Sequence, residues 1–152
     1  MRYGHTNGFT LIEVTIVLGL IGVIAAFGVA MSFSSLSSTT VTQERDLFVT
    51  LLLRSTRSAA VANLEESSHG VQIDNANDRY ILFNGTTYVA GAASNRVIPY
   101  TNEAIDIENT GGNTVVFEQL SGDVTVGSGT VVISNGTASQ EIIIRESGQI
   151  DW

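Results

Sequence analysis

Along this chain the spacing of hydrophobic positions changes twice, and each change marks a different kind of element. Residues 9–31, "FTLIEVTIVLGLIGVIAAFGVAM", are almost continuously apolar, with one charge, Glu13, near the start. Residues 14–31 carry no charge, and roughly 20 apolar residues at about 1.5 Å each match the length of a single membrane span. A helix that crosses a bilayer is therefore expected over residues 9–33. From Thr40 to Leu64 the pattern turns amphipathic. Phe48, Leu52, Ser55 and Ala59 fall near one face, with Leu47, Leu51 and Ala62 on its flank and Arg45, Arg54 and Arg57 on the polar sides. This predicts a helical continuation over residues 34–64, one side packed on the domain beyond Leu64 and the other wet or against a neighbour. Residues 32–42 have weak helix propensity. Thr40 and Gln43 have the form of a capping box, which either opens a second helix or decorates a continuous one.

After Leu64 the period shortens to two. "GVQID", "RYILFN", "TTYVA", "AIDIEN", "NTVVFEQL", "DVTVG", "GTVVIS", "EIIIRE" and a final "QIDW" read as strands. Turn signals separate them, with Asn84 and Gly85 as a two-residue hairpin turn and others at Gly111 and Gly112, Ser121 and Gly122, Asn135 and Gly136, and Gly148. The expected fold class is α+β: a long N-terminal helix whose first half spans a membrane and whose second half packs on an antiparallel β-sheet domain, residues 65–152.

Composition narrows the functions. Seven arginines, no lysine and fifteen acidic residues give a net charge of −8 over 152 residues. That balance disfavours non-specific nucleic-acid binding and a polybasic membrane patch, although a local arginine cluster keeps DNA contact open. With no cysteine, disulfides, thiolate metal sites and cysteine nucleophiles are excluded. Arg2 ahead of the apolar run places the first residues in the cytoplasm and the large domain outside it.

Little in the β domain suggests catalysis, a cofactor or a metal. His5 and His69 lie on opposite sides of the apolar run and lack ligand spacing. Asp74, Asn75, Asn77 and Asp78 make an oxygen-rich loop without the ordered ligands of an EF-hand, and read as a solvated turn. Asp106 and Glu108 share a strand face as solvated charge, and no serine sits in a nucleophile motif. Trp152 either packs on the sheet or marks a contact. Gly22, Ala26 and Ala30 recur every four residues as a small-residue stripe that permits close helix packing. Gly19, Gly22 and Gly28 lower helix propensity along the same stretch.

Gly8, Phe9, Thr10, Leu11, Ile12 and Glu13, followed by the apolar helix, resemble the processing motif of type IV prepilins and type II secretion pseudopilins. The resemblance implies a leader of residues 1–8, cleavage between Gly8 and Phe9 by a prepilin peptidase/N-methyltransferase, and methylation of the new terminal Phe9. It assigns Glu13 to assembly, opposite the terminal amine of a neighbouring subunit. Further along, "VVFEQLSGDVT", "GTVVIS" and "EIIIRESGQI" resemble the closing strands of the minor pseudopilin H (FimT-like) group. There Phe117 is a sheet residue, Gly122 a turn, and Gly148 precedes the last strand. Many relatives have arginine where this chain has Gln149. Lacking cysteine, and with Pro99 as its one proline, the chain departs from major pilins and fits a minor subunit.

The implied function is a non-enzymatic structural subunit of a type II secretion pseudopilus or type IV pilus. Such a subunit is held in membrane lipid of the inner membrane before assembly, then passed by an inner-membrane assembly platform to other pilins or pseudopilins in a periplasmic or extracellular filament. The competing reading is a secreted soluble binding domain released by ordinary signal peptidase, with cleavage after Ala30.

Overall fold

The structure, a computed structural model, describes residues 9–152, apart from the side chains of residues 28–35. The chain divides into two compact units, residues 1–36 and residues 37–152. Helix α1 covers Leu11–Asp46, with the acid Glu13 in its first turn and the base Arg45 in its last. Both charges suit the dipole ends they occupy. The serine- and threonine-rich stretch is helical throughout, and Thr42 Oγ1 donates back to the Ser38 carbonyl at 3.0 Å. Thr40 and Gln43 therefore decorate a continuous helix.

Among the described residues no helix is long and apolar enough to cross a membrane. This overturns the expected membrane-spanning first half of the helix. The single-pass placement in the inner membrane falls with it, and contact with membrane lipid loses its support.

Beyond α1 the chain forms a π-helical segment, Leu47–Leu53, and then α2, Arg54–Val61. The buried positions are Val41, Glu44, Phe48, Leu52, Thr56 and Ala60, joined by Val49 and Leu53. A four-residue spacing outruns an α-helix of about 3.6 residues per turn and would rotate off the core. The wider i→i+5 turns of the π segment absorb that drift. The buried face after Leu52 consequently passes through Thr56 and Ala60, one residue later than the expected Ser55 and Ala59.

Nine strands follow, all antiparallel and divided between two sheets rather than gathered in one. They are β1 (His69–Asp74), β2 (Arg79–Asn84), β3 (Arg96–Pro99), β4 (Asp106–Asn109), β5 (Thr114–Phe117), β6 (Val124–Val126), β7 (Gly129–Ser134), β8 (Ser139–Ile144) and β9 (Ile150–Asp151). One sheet has the order β3-β2-β1-β5-β6 and the other β4-β7-β8-β9. The chain passes between the sheets three times, between Pro99 and Asp106, at Gly111 and Gly112, and at Gly127. Alternation sets the registers: Val71 stands opposite Leu82 on one side and Val115 on the other. Inward residues of both sheets, among them Val71, Tyr80, Phe117, Ile133 and Ile142, share one core with Phe48, Leu52 and Ala60.

"TTYVA" is not a strand; Tyr88 instead packs edge-on against Phe83, with ring centres 5.7 Å apart. The partner of β2 is β3, so Asn84 and Gly85 open a long connection instead of a two-residue hairpin. Gly85 N–H still reaches back to the Ser68 carbonyl at 2.7 Å. Proline lacks an N–H and suits an edge strand, which is where Pro99 lies.

Candidate functional site

In the first unit the chemistry gathers at the start of α1. Thr10 Oγ1 accepts the Glu13 N–H at 3.3 Å, and Glu13 Oε2 accepts the Thr10 N–H at 3.5 Å. This reciprocal pair is a capping box. Its S/T-x-x-E signal stands in the sequence as "TLIE", whereas the box read at Thr40 and Gln43 falls inside α1. Glu13 Oε1 has no hydrogen-bond partner among the described residues. The carboxylate borders an apolar hollow of about 250 Å³ formed with Phe9, Val14, Val17 and Leu18. Phe9 is 85% exposed, and the large side chains from Leu11 to Phe27 are also exposed. At Gly22 an added Cβ would meet nothing within 4 Å among the described residues, so none of them requires a small residue there. Ala26 is exposed. Gly8, His5 and the side chain of Ala30 lie outside the described residues.

In the second unit, sequence reasoning missed a buried carboxylate. Glu44 is fully buried and accepts hydrogen bonds from Tyr80 Oη at 2.6 Å, the Thr101 N–H at 2.8 Å and Thr101 Oγ1 at 2.5 Å. It ties α1 to β2 and to the chain after β3, and among the described residues no cation pairs with it. Tyr80 lies between Phe48 and Tyr100, with ring centres 5.3 Å and 4.6 Å away. Burial first, and the Glu44 charge second, hold the Tyr80 phenol above its usual range, and the same causes raise Tyr100. The clue was an acid at helical spacing between Val41 and Phe48, on the apolar stripe itself.

A cleft of about 510 Å³ lies where α2 meets the turn before β9. It is lined by Arg54, Arg57, Ser58, Val61, Gly148, Gln149 and Ile150. Arg57 Nε donates to the Gly122 carbonyl at 3.1 Å, and the Arg54 guanidinium lies 4.4 Å from the Trp152 ring centre. Gly122, Gly148 and Gln149, scattered in sequence, thus meet around one arginine.

The remaining expected features are structural. The Asp74 loop is the β1–β2 turn. Asn77 Nδ2 donates to both Asp74 oxygens at 3.0 Å and 2.9 Å, and Arg79 Nε donates to Oδ2 at 2.8 Å. Among the described residues no group of His, Cys, Asp or Glu is arranged to hold a metal ion. His69 is buried, with Nε2 2.9 Å from the Leu64 carbonyl oxygen. Asp106 and Glu108 are exposed on either side of the buried Ile107.

Residues 4–29 match the family described as the prokaryotic N-terminal methylation motif. The fold is similar to the crystal structure of the type IV minor pilin FimU of Pseudomonas aeruginosa, with a TM-score of 0.50 and 15% identity over 66% of this chain and 83% of that one. No curated protein matches the chain. It therefore combines a type IV pilin- or pseudopilin-like fold with an N-terminal methylation motif. The likeness in fold is to a pilin, and the matched family is described by its methylation motif.

Proposed function

We propose that the chain is a minor pilin-like structural subunit of a type II secretion pseudopilus or a type IV pilus. One observation carries this reading: a methylation motif at residues 4–29 and a pilin-like fold occur in the same chain. In this proposal a prepilin peptidase/N-methyltransferase cuts after Gly8 and methylates Phe9, and the product joins other pilins or pseudopilins outside the cytoplasm through its N-terminal helix. The absence of cysteine favours a minor over a major subunit, and the closing strands around Gly122 and Gly148 favour the pseudopilin H (FimT-like) group.

Glu13 is the assembly residue of the proposal. A new terminal amine has a reference pKa of about 7.7–8.0 and is largely cationic near neutral pH. Burial of Glu13 between packed helices would need such a partner to offset its desolvation. Its unpartnered Oε1 and apolar surround support that role. The exposed Gly22 and Ala26, with Ala30, would admit a neighbouring helix at close range.

Intact mass and N-terminal sequencing of the protein from its native host test the processing step. A product beginning with methylated Phe9 is expected; one beginning near Met31 would favour ordinary signal-peptidase release and overturn the proposal.

A further inference from the structure

In a chain with fifteen acidic residues and seven arginines, arginines without acidic partners need an explanation. Arg45, Arg79 and Arg145 each pair with an aspartate, Asp46, Asp74 and Asp151, at 2.7–2.8 Å. Among the described residues Arg54, Arg57 and Arg96 have no carboxylate within 4.0 Å, and the first two line one cleft of about 510 Å³. They stand three apart on α2, a spacing that puts them on neighbouring parts of one face.

Both guanidinium groups are also held in place. Arg54 lies against Trp152. Arg57 uses only Nε on Gly122, so its two terminal nitrogens have no hydrogen bond to any described residue. The glycines around Arg57 leave room for nothing larger. Gly148 has φ +72°, and a Cβ there would lie 2.5 Å from Arg57 Nε and 2.1 Å from the Gly122 oxygen. Gly122 has φ +70°, and a Cβ there would lie 2.5 Å from Val61 Cγ2. Two loops thus close on the arginine through backbone alone and orient its fork before any ligand arrives, which lowers the ordering cost of binding.

We infer that this cleft binds a carboxylate presented by an acidic segment of another polypeptide. A guanidinium fork matches a planar carboxylate in a two-bond geometry. Ser58 and Gln149 add polar groups, and Val61 and Ile150 an apolar wall. A nucleic acid would have to run its phosphates across a molecule of net charge −8, whereas a peptide need offer only one carboxylate to the cleft. The inference goes beyond the filament reading and is tested on the single chain, so either can fail without the other.

Trp152 is the chain's one tryptophan and reports directly on Arg54. Titrating the full chain with a capped Glu–Ala repeat peptide is expected to change its emission saturably, while the matching Gln–Ala peptide does not. Calorimetry should show Arg57→Gln weakening the peptide about tenfold, a loss of about 1.4 kcal/mol. Arg54→Gln, which gives up no hydrogen bond within the fold, should weaken it similarly with an unchanged melting curve. No saturable response, an equal response to the Gln–Ala peptide, or tighter binding of a single-stranded oligonucleotide would overturn the inference.

Discussion

Removing the Glu44 carboxylate would leave the buried Tyr80 hydroxyl and two Thr101 donors without their acceptor. Each unmet buried donor costs about 1–3 kcal/mol, and the lost side chain adds a cavity. Glu44→Ala is therefore expected to lower unfolding stability by about 2–4 kcal/mol, and Tyr80→Phe by about 1–3 kcal/mol, in urea titrations. Pairing Tyr80→Phe with Glu44→Met removes donor and acceptor together, so the double variant should be more stable than the two single losses sum to. Strict additivity would show that the bond contributes nothing. The raised Tyr80 and Tyr100 phenols set the alkaline behaviour. Above about pH 10 the unfolded chain releases these protons while the native chain keeps them, so stability should fall as pH rises past that point. Urea midpoints at about pH 9 and about pH 11 measure the slope, which Tyr80→Phe should flatten. Asp74 works in the opposite direction. The Arg79 hydrogen bond is the largest cause holding its carboxyl below 3.8, so its contribution is present above that value and fades as pH falls through the lowered native one.

At the scale of elements, the π-helical segment decides which side of α2 is buried. Ala60 is fully buried and its carbonyl accepts the Leu120 N–H at 2.9 Å, while Ser55 is exposed. Ala60→Leu should overpack the core and cost about 1–3 kcal/mol, whereas Ser55→Ala should stay within about 0.5 kcal/mol. Thermal melts of the two variants check this, and a reversed order would mean that the 3.6-residue face continues unbroken. The same contrast explains what the sequence reveals. Phe48 and Leu52 are legible because the apolar stripe reaches them before the helix widens. Thr56 and Ala60 are not, because nothing in "LFVTLLL" announces the extra residue per turn. β1, β2, β7 and β8 are legible from alternation. β3 is not, because Arg96 and Val97 are both exposed on an edge that ends at Pro99, whereas "TTYVA" has strand-like residues that cover Phe83.

For the whole molecule, the proposed reading gives the motif at Phe9 to Glu13 to assembly, and the geometry adds a contact that such assembly has to reckon with. Apolar count alone suggested a span, because it treats residues 9–31 as one uniform run; among the described residues no helix is long and apolar enough to cross a membrane. The arginine cleft was out of reach for another reason: Arg57, Gly122 and Gly148 meet only once the sheets close on α2. Glu13 has one observed role, toward its own Thr10, and one proposed role, toward a neighbouring amine, and the two can be separated. Thr10→Ala removes the hydroxyl half of the box and weakens the helix start by about 0.5–2 kcal/mol, yet leaves the carboxylate in place. Glu13→Ala removes both the return hydrogen bond and the charge. If Glu13 serves a neighbouring subunit, Thr10→Ala should enter filaments near the normal level, while Glu13→Ala is strongly depleted from sheared filaments at native expression. Both variants should unfold at the same urea midpoint as the parent in residues 37–152, and both should be processed to begin at Phe9. Equal depletion of the two processed variants would assign Glu13 to capping its own helix, and normal entry of Glu13→Ala would remove it from assembly altogether.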